Sequence, residues 1–81
     1  MNIFIGNLDD KINHEHLKEA FQDYGEVSRA VVVKDKYTGK SRGFGFIEMP
    51  DNGEAVNAIN TLNGGTWEGK VIRVNQAKEK K

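Results

Sequence analysis

The residues of this 81-residue chain best suited to chemistry are aromatic and basic: Phe4, and Arg42, Phe44 and Phe46 two residues apart. Successive side chains of a strand point to opposite faces, so residues two apart share one. Across Gly43–Met49, the residues Gly43, Gly45, Ile47 and Met49 share one parity. Arg42, Phe44, Phe46 and Glu48 share the other. Ile47 and Met49 suit a core, and the glycines beside them permit close approach. Phe44 and Phe46 then face solvent beside Arg42. In Asn2-Ile3-Phe4-Ile5 the isoleucines take the core, and Phe4 faces out too. Exposing each ring forgoes about 1.5–3 kcal/mol of burial. A contiguous apolar patch of this kind marks a binding surface.

Short elements must hold these positions. Asn2–Gly6 reads as a strand. Asn13 is the expected N-cap of a helix whose apolar stripe is Leu17, Ala20, Phe21 and Tyr24, with Gly25 as its left-handed C′ residue. Val27–Lys34 and Gly43–Met49 read as strands. The polar loop between them is too short for a crossover helix, so they form an antiparallel hairpin. Pro50 ends the second of them. Asp51 and Glu54 have capping-box spacing ahead of a helix with the stripe Ala55, Ala58, Ile59 and Leu62, which Asn63-Gly64-Gly65 stops. Trp67 falls in a small hairpin expected to pack on the core edge, and Val71–Gln76 is the last strand. The order β-α-β-β-α-β predicts an α+β, ferredoxin-like sandwich: a four-stranded antiparallel sheet with two helices on one face. The other face is left to water. On the last strand, Arg73 and Asn75 share the outward parity if Ile72 and Val74 are core. Asn2 and Glu48 are further outward positions.

Composition narrows the chemistry. There are no cysteines, which excludes disulfides, thiolate metal sites and thiol catalysis. Twelve basic and twelve acidic residues cancel, which argues against a strongly cationic duplex binder. The cancellation is uneven: residues 1–26 carry net −4, residues 34–42 net +3 and residues 68–81 net +3. Local patches can therefore attract phosphate within a neutral molecule. His14 and His16 are two apart on a helix and share no face, so no metal site is expected. Asp9-Asp10 has no nucleophile or base beside it. No enzyme activity, cofactor or small-molecule substrate is expected.

Arg42-Gly43-Phe44-Gly45-Phe46-Ile47-Glu48-Met49 resembles the RNP1 octamer of the RNA recognition motif family, K/R-G-F/Y-G/A-F-V-x-F/Y. Met49 departs from its final aromatic, on the core parity. Ile3-Phe4-Ile5-Gly6-Asn7-Leu8 resembles the family's RNP2 hexamer. The resemblance extends from about Asn2 to Lys78. It implies binding of single-stranded RNA, with Phe4 and Phe44 each stacked under a base, Phe46 against sugars and Arg42 on a phosphate. Arg73 and Asn75 could read base edges, and Lys40 belongs to the basic loop before the octamer. The family's main-chain contacts just after the last strand imply Gln76 to Lys78. The expected organisation is one domain over residues 1–77, with a short basic tail over residues 78–81. The expected protein is a cytoplasmic monomer with no membrane association, binding single-stranded RNA or single-stranded DNA. The alternative is a module of the same fold that binds protein.

Overall fold

The computed structural model describes residues 1–77. The alternation of Asn2–Gly6 makes β1, with Ile3 and Ile5 fully buried. Helix α1 spans His14–Gln22. The Asn13 side chain accepts from the backbone N–H groups of Glu15 and His16 at 3.0 and 3.1 Å. The His16 imidazole Nδ1 in turn accepts from the Asn13 N–H at 3.2 Å, closing a capping box with a ring in place of the usual Glu or Gln. Strands β2 (Arg29–Lys34) and β3 (Ser41–Glu48) form the expected hairpin, and α2 spans Asn52–Leu62. Asp51 accepts from the Glu54 N–H at 2.9 Å, the half of the expected capping box in which the cap residue is the acceptor.

Two short strands, β4 (Thr66–Trp67) and β5 (Lys70–Val71), precede β6 (Arg73–Ala77). The main sheet has the order β2-β3-β1-β6 and is antiparallel throughout. The predicted final strand is thus divided. Glu68 and Gly69 adopt φ 50° and 78°, the paired positive values of a type I′ hairpin turn, and this turn folds Lys70-Val71 back on Thr66-Trp67. The Ile72 N–H then donates to the Gly65 carbonyl at 2.9 Å, and β6 starts at Arg73. Trp67 packs against the core, as its place in the sequence predicted.

Leu17 and Phe21 of α1 and Ala55 and Ala58 of α2 bury against the inner parity of the sheet, which includes Ile3, Ile5, Ile47 and Val74. Gly45 makes the close approach possible. A β-carbon there would lie 2.5 Å from the Val31 carbonyl oxygen and 2.9 Å from Leu17 Cδ1. Met49 is fully buried, as its parity required, one residue beyond β3. Helix α1 ends at Gln22, capped by Asp23, sooner than expected. Gly25 is therefore not its C′ residue. Its φ of 159° lies close to extended backbone, and a side chain there would overlap that of Glu54. At the end of α2, Gly64 adopts φ 82°, and Asn63 Oδ1 accepts from the Val74 N–H of β6 at 3.0 Å. The helix terminus thereby holds the edge strand in register.

Candidate nucleic-acid interface

The helices cover one face of the sheet, and the pairing register orders the other. Phe4 stands between Phe46 of β3 and Asn75 of β6. Gly6 stands between Phe44 and Arg73, and Asn2 between Glu48 and Ala77. The three rings form one cluster. The Phe4 centroid is 5.8 Å from that of Phe44 and 5.7 Å from that of Phe46, and Phe44 and Phe46 are 6.2 Å apart, edge to face. A β-carbon at position 6 would meet the Phe4 ring at 3.0 Å, so a side chain there would press on that ring. The rings shield one another: Phe46 is 39% exposed, whereas Phe4 and Phe44 are half-buried. The patch is therefore less exposed than three independent outward rings would be.

Cations gather at one end of this face. Val32 pairs with Gly45 but Lys34 pairs with Ser41, so β3 bulges between them, and Gly43 takes φ 83° within the bulge. The Leu8 N–H holds the Gly43 carbonyl at 2.8 Å. Arg42 Cζ lies 5.8 Å from the Phe44 centroid, a cation–π distance. Arg42, Lys70 and Arg73 line one groove with Phe4, Gly6 and Phe44. Asn7 ties the groove together: at φ 61° its side-chain nitrogen donates to the Val71 carbonyl at 2.6 Å. Lys70 was not anticipated as a site residue. The turn pair Glu68-Gly69 and the positive charge of residues 68–81 were the signals that could have found it.

The other end is mixed in charge. Asn2, Arg29, Val31, Phe46, Glu48 and Ala77 line a second groove. Arg29 and Val31 were also missed, because a run of three valines gives no parity. The Ser28 hydroxyl donates to Glu48 Oε1 at 2.8 Å. Arg73 and Asn75 lie on the open face and are exposed. Gln76 lies inside β6 opposite Ile3, on the helix-facing parity, rather than after the last strand; β6 runs to Ala77. Lys78 lies outside the described residues.

Lys40 sits in the β2–β3 turn and lines neither groove. That turn is organised by Asp35, whose carboxylate accepts from the Tyr37 and Thr38 N–H groups at 2.8 and 3.1 Å. Those bonds, Thr38's first, hold its pKa below the ordinary value of 3.8, with a smaller contribution from the Arg42 charge. Tyr37 is 86% exposed, with Lys36 Nζ 5.2 Å from its ring centroid. Among the described residues, no three His, Cys, Asp or Glu side chains form a metal-holding group, and no helix is long and apolar enough to cross a membrane.

An open four-stranded sheet with clustered rings and a basic rim defines a stacking platform of the kind that tracks flexible strands. The chain belongs to the RNA recognition motif family, whose model matches residues 3–73. It is similar to RbpD of Nostoc sp. (strain PCC 7120), named as a candidate RNA-binding protein. The two are 45% identical over 78 residues, spanning 96% of this chain and 83% of that one. The crystal structure of an RNA-binding protein called PG1 superposes with a TM-score of 0.96 at 42% identity, covering 100% of this chain and 98% of that one. A Sex-lethal protein–RNA complex matches with a TM-score of 0.91 at 25% identity, covering 99% of this chain and 48% of that one.

Proposed function

We propose that this chain binds single-stranded RNA by stacking bases on Phe4 and Phe44, with Phe46 against the sugars and Arg42, Lys70 and Arg73 along the backbone. One observation carries the reading: three rings within 6.2 Å of one another on a sheet face that no helix among the described residues covers, bordered by three cations. Base–aromatic stacking contributes about 1–3 kcal/mol per ring. Three rings supply roughly 3–9 kcal/mol, against about 8 kcal/mol for micromolar affinity. The platform therefore supports weak to micromolar binding of a few nucleotides. Asn75, beside Phe4, is placed to meet a base edge.

The domain acts without catalysis, as a monomer in the cytoplasm, and the same rings can stack the bases of single-stranded DNA. A protein-binding role for the same face lacks support, because such a role does not require stacking rings beside a basic rim. Competition between a single-stranded RNA and its duplex form tests the proposal. The deep major groove of A-form RNA hides its bases, so the single strand should win clearly. Equal affinity for both would replace stacking with general charge attraction.

A further inference from the structure

The mixed end of the open face carries a feature that general strand binding does not use. Glu48 places a carboxylate on a surface meant for polyanions. Asn2 lies directly opposite it on β1, so their β-carbons are about 5 Å apart. Both side chains line the groove beside Phe46. Glu48 is steadied by the Ser28 hydroxyl on Oε1, and the Ser28 N–H also donates to the Glu48 carbonyl at 2.9 Å. The carboxylate is thus fixed by one donor, with acceptor capacity left on both oxygens. Arg29, opposite Glu48 on β2, offsets its repulsion of phosphate. Phe4 and Phe46 lie two residues along the same strands, a spacing of about 6.6 Å. A base stacked on Phe4, two residues along β1 from Asn2, can turn an edge toward the Asn2–Glu48 pair.

We infer that Asn2 and Glu48 select guanine at this position; the inference rests on the stacking reading above. The side-by-side pair offers one amide donor followed by two carboxylate acceptors. Guanine's Watson–Crick edge presents the complement: the O6 acceptor, then the N1–H and N2–H donors. Uracil presents acceptor, donor, acceptor, and so turns a carbonyl toward the carboxylate. Adenine and cytosine can set their ring nitrogen on the amide donor and their exocyclic amine on the carboxylate, one contact fewer than guanine makes. Bidentate base contacts discriminate by about 1–3 kcal/mol, or roughly 5- to 150-fold, and an exposed pair belongs at the lower end.

The test uses the full chain and a short fluorescent oligouridylate, together with versions carrying a single central guanine, adenine or cytosine. Anisotropy titrations should give the guanine oligonucleotide an affinity about 5- to 10-fold above the all-uridine one, with adenine and cytosine between. Glu48→Gln, which replaces one acceptor by a donor, should bring that ratio close to one. Ser28→Ala, which loosens the carboxylate without removing it, should lower the ratio less. Equal affinities for all four oligonucleotides would overturn the inference and leave the stacking reading standing. A guanine preference that Glu48→Gln does not alter would likewise assign base selection elsewhere. Binding to none of them would remove the stacking reading and this inference together.

Discussion

Phe4 and Phe46 stand directly opposite each other on β1 and β3, their ring centroids 5.7 Å apart and their planes inclined at 61°. This cross-strand pair resolves a conflict in the design of the open face. A binding platform needs exposed rings, yet exposed rings lose burial energy. An edge-to-face pair recovers about 0.5–1.5 kcal/mol beyond area burial while leaving ring faces available. A double-mutant cycle on Phe4→Ala and Phe46→Ala, read by chemical denaturation, should report a coupling in that range. Strict additivity would mean that the rings are independent and that the sheet alone fixes them.

The same rings should separate binding from stability. Phe4→Ala and Phe44→Ala should each weaken RNA binding by about 1–3 kcal/mol. Because both rings are half-buried, each substitution should also cost a measurable amount of stability. That cost should stay well below that of Phe21→Ala, whose fully buried ring is worth about 3–5 kcal/mol. Titration and unfolding of the three variants side by side give the contrast. A Phe44→Ala variant that unfolds like Phe21→Ala while keeping full affinity when folded would reverse the assignment of faces.

The ring positions were legible in the sequence because the alternation around Ile3, Ile5, Ile47 and Met49 left no choice of face. The helix stripes and the cap at Asn13 followed from spacing in the same way. Arg29 and Val31 were hidden because Val31-Val32-Val33 fits either parity; only pairing with β3 puts Val31 opposite Phe46. Lys70 was hidden for a different reason. Its position depends on the Glu68-Gly69 turn that folds Lys70-Val71 back, and on the Asn7 bond to Val71, a contact 64 residues apart, that ties the hairpin to β1. The bulge at Gly43 went unread for another reason: a glycine in a strand signals either a bulge or a close approach, and parity alone does not choose between them.

Gly45 gives the sharpest prediction about the scaffold. Its missing β-carbon would fall against the Val31 carbonyl, which belongs to the paired strand and cannot move aside. Gly45→Ala should therefore cost about 1–3 kcal/mol of stability as α1 and β2 shift to make room. Gly69→Ala provides the comparison: there is open space around it, and its penalty comes from φ 78° alone. A Gly45→Ala domain with unchanged denaturation midpoint would show that the α1–sheet contact is looser than the packing indicates.

Asp35 should make the β2–β3 turn sensitive to acid. Its pKa is lower in the folded chain than in the unfolded one, so its contribution to stability is present above the unfolded value near 3.8. That contribution is lost as the pH falls through the lower, folded value. Carboxyl NMR titration should show Asp35 titrating below the usual aspartate range. Asp35→Asn should abolish the titration and loosen the turn that carries Lys36, Tyr37 and Lys40, visible as faster amide exchange at Thr38 and Gly39. An Asp35 that titrates at its ordinary value would mean the turn is held by backbone bonds alone, such as the Gly39 N–H to the Asp35 carbonyl at 2.8 Å.

Salt dependence should apportion the cations. Each phosphate contact to a single strand adds about 0.7 to the slope of log affinity against log salt. Lys70→Ala and Arg73→Ala should each flatten the slope by about that amount, since both line the groove at the Phe44 end. Lys40→Ala should change it less, because Lys40 lines neither groove. Lys78, Lys80 and Lys81 follow β6 in the sequence, diluted by Glu79. If two or three of them reach phosphates, truncation after Ala77 should flatten the slope by roughly 1.4–2.1. Over a fourfold rise in salt that amounts to about a 7- to 18-fold difference in affinity. Stacking should persist at high salt, where the truncated and intact chains converge. An unchanged slope on truncation, with a clear loss for Lys70→Ala, would place the phosphate path wholly across the hairpin side of the sheet.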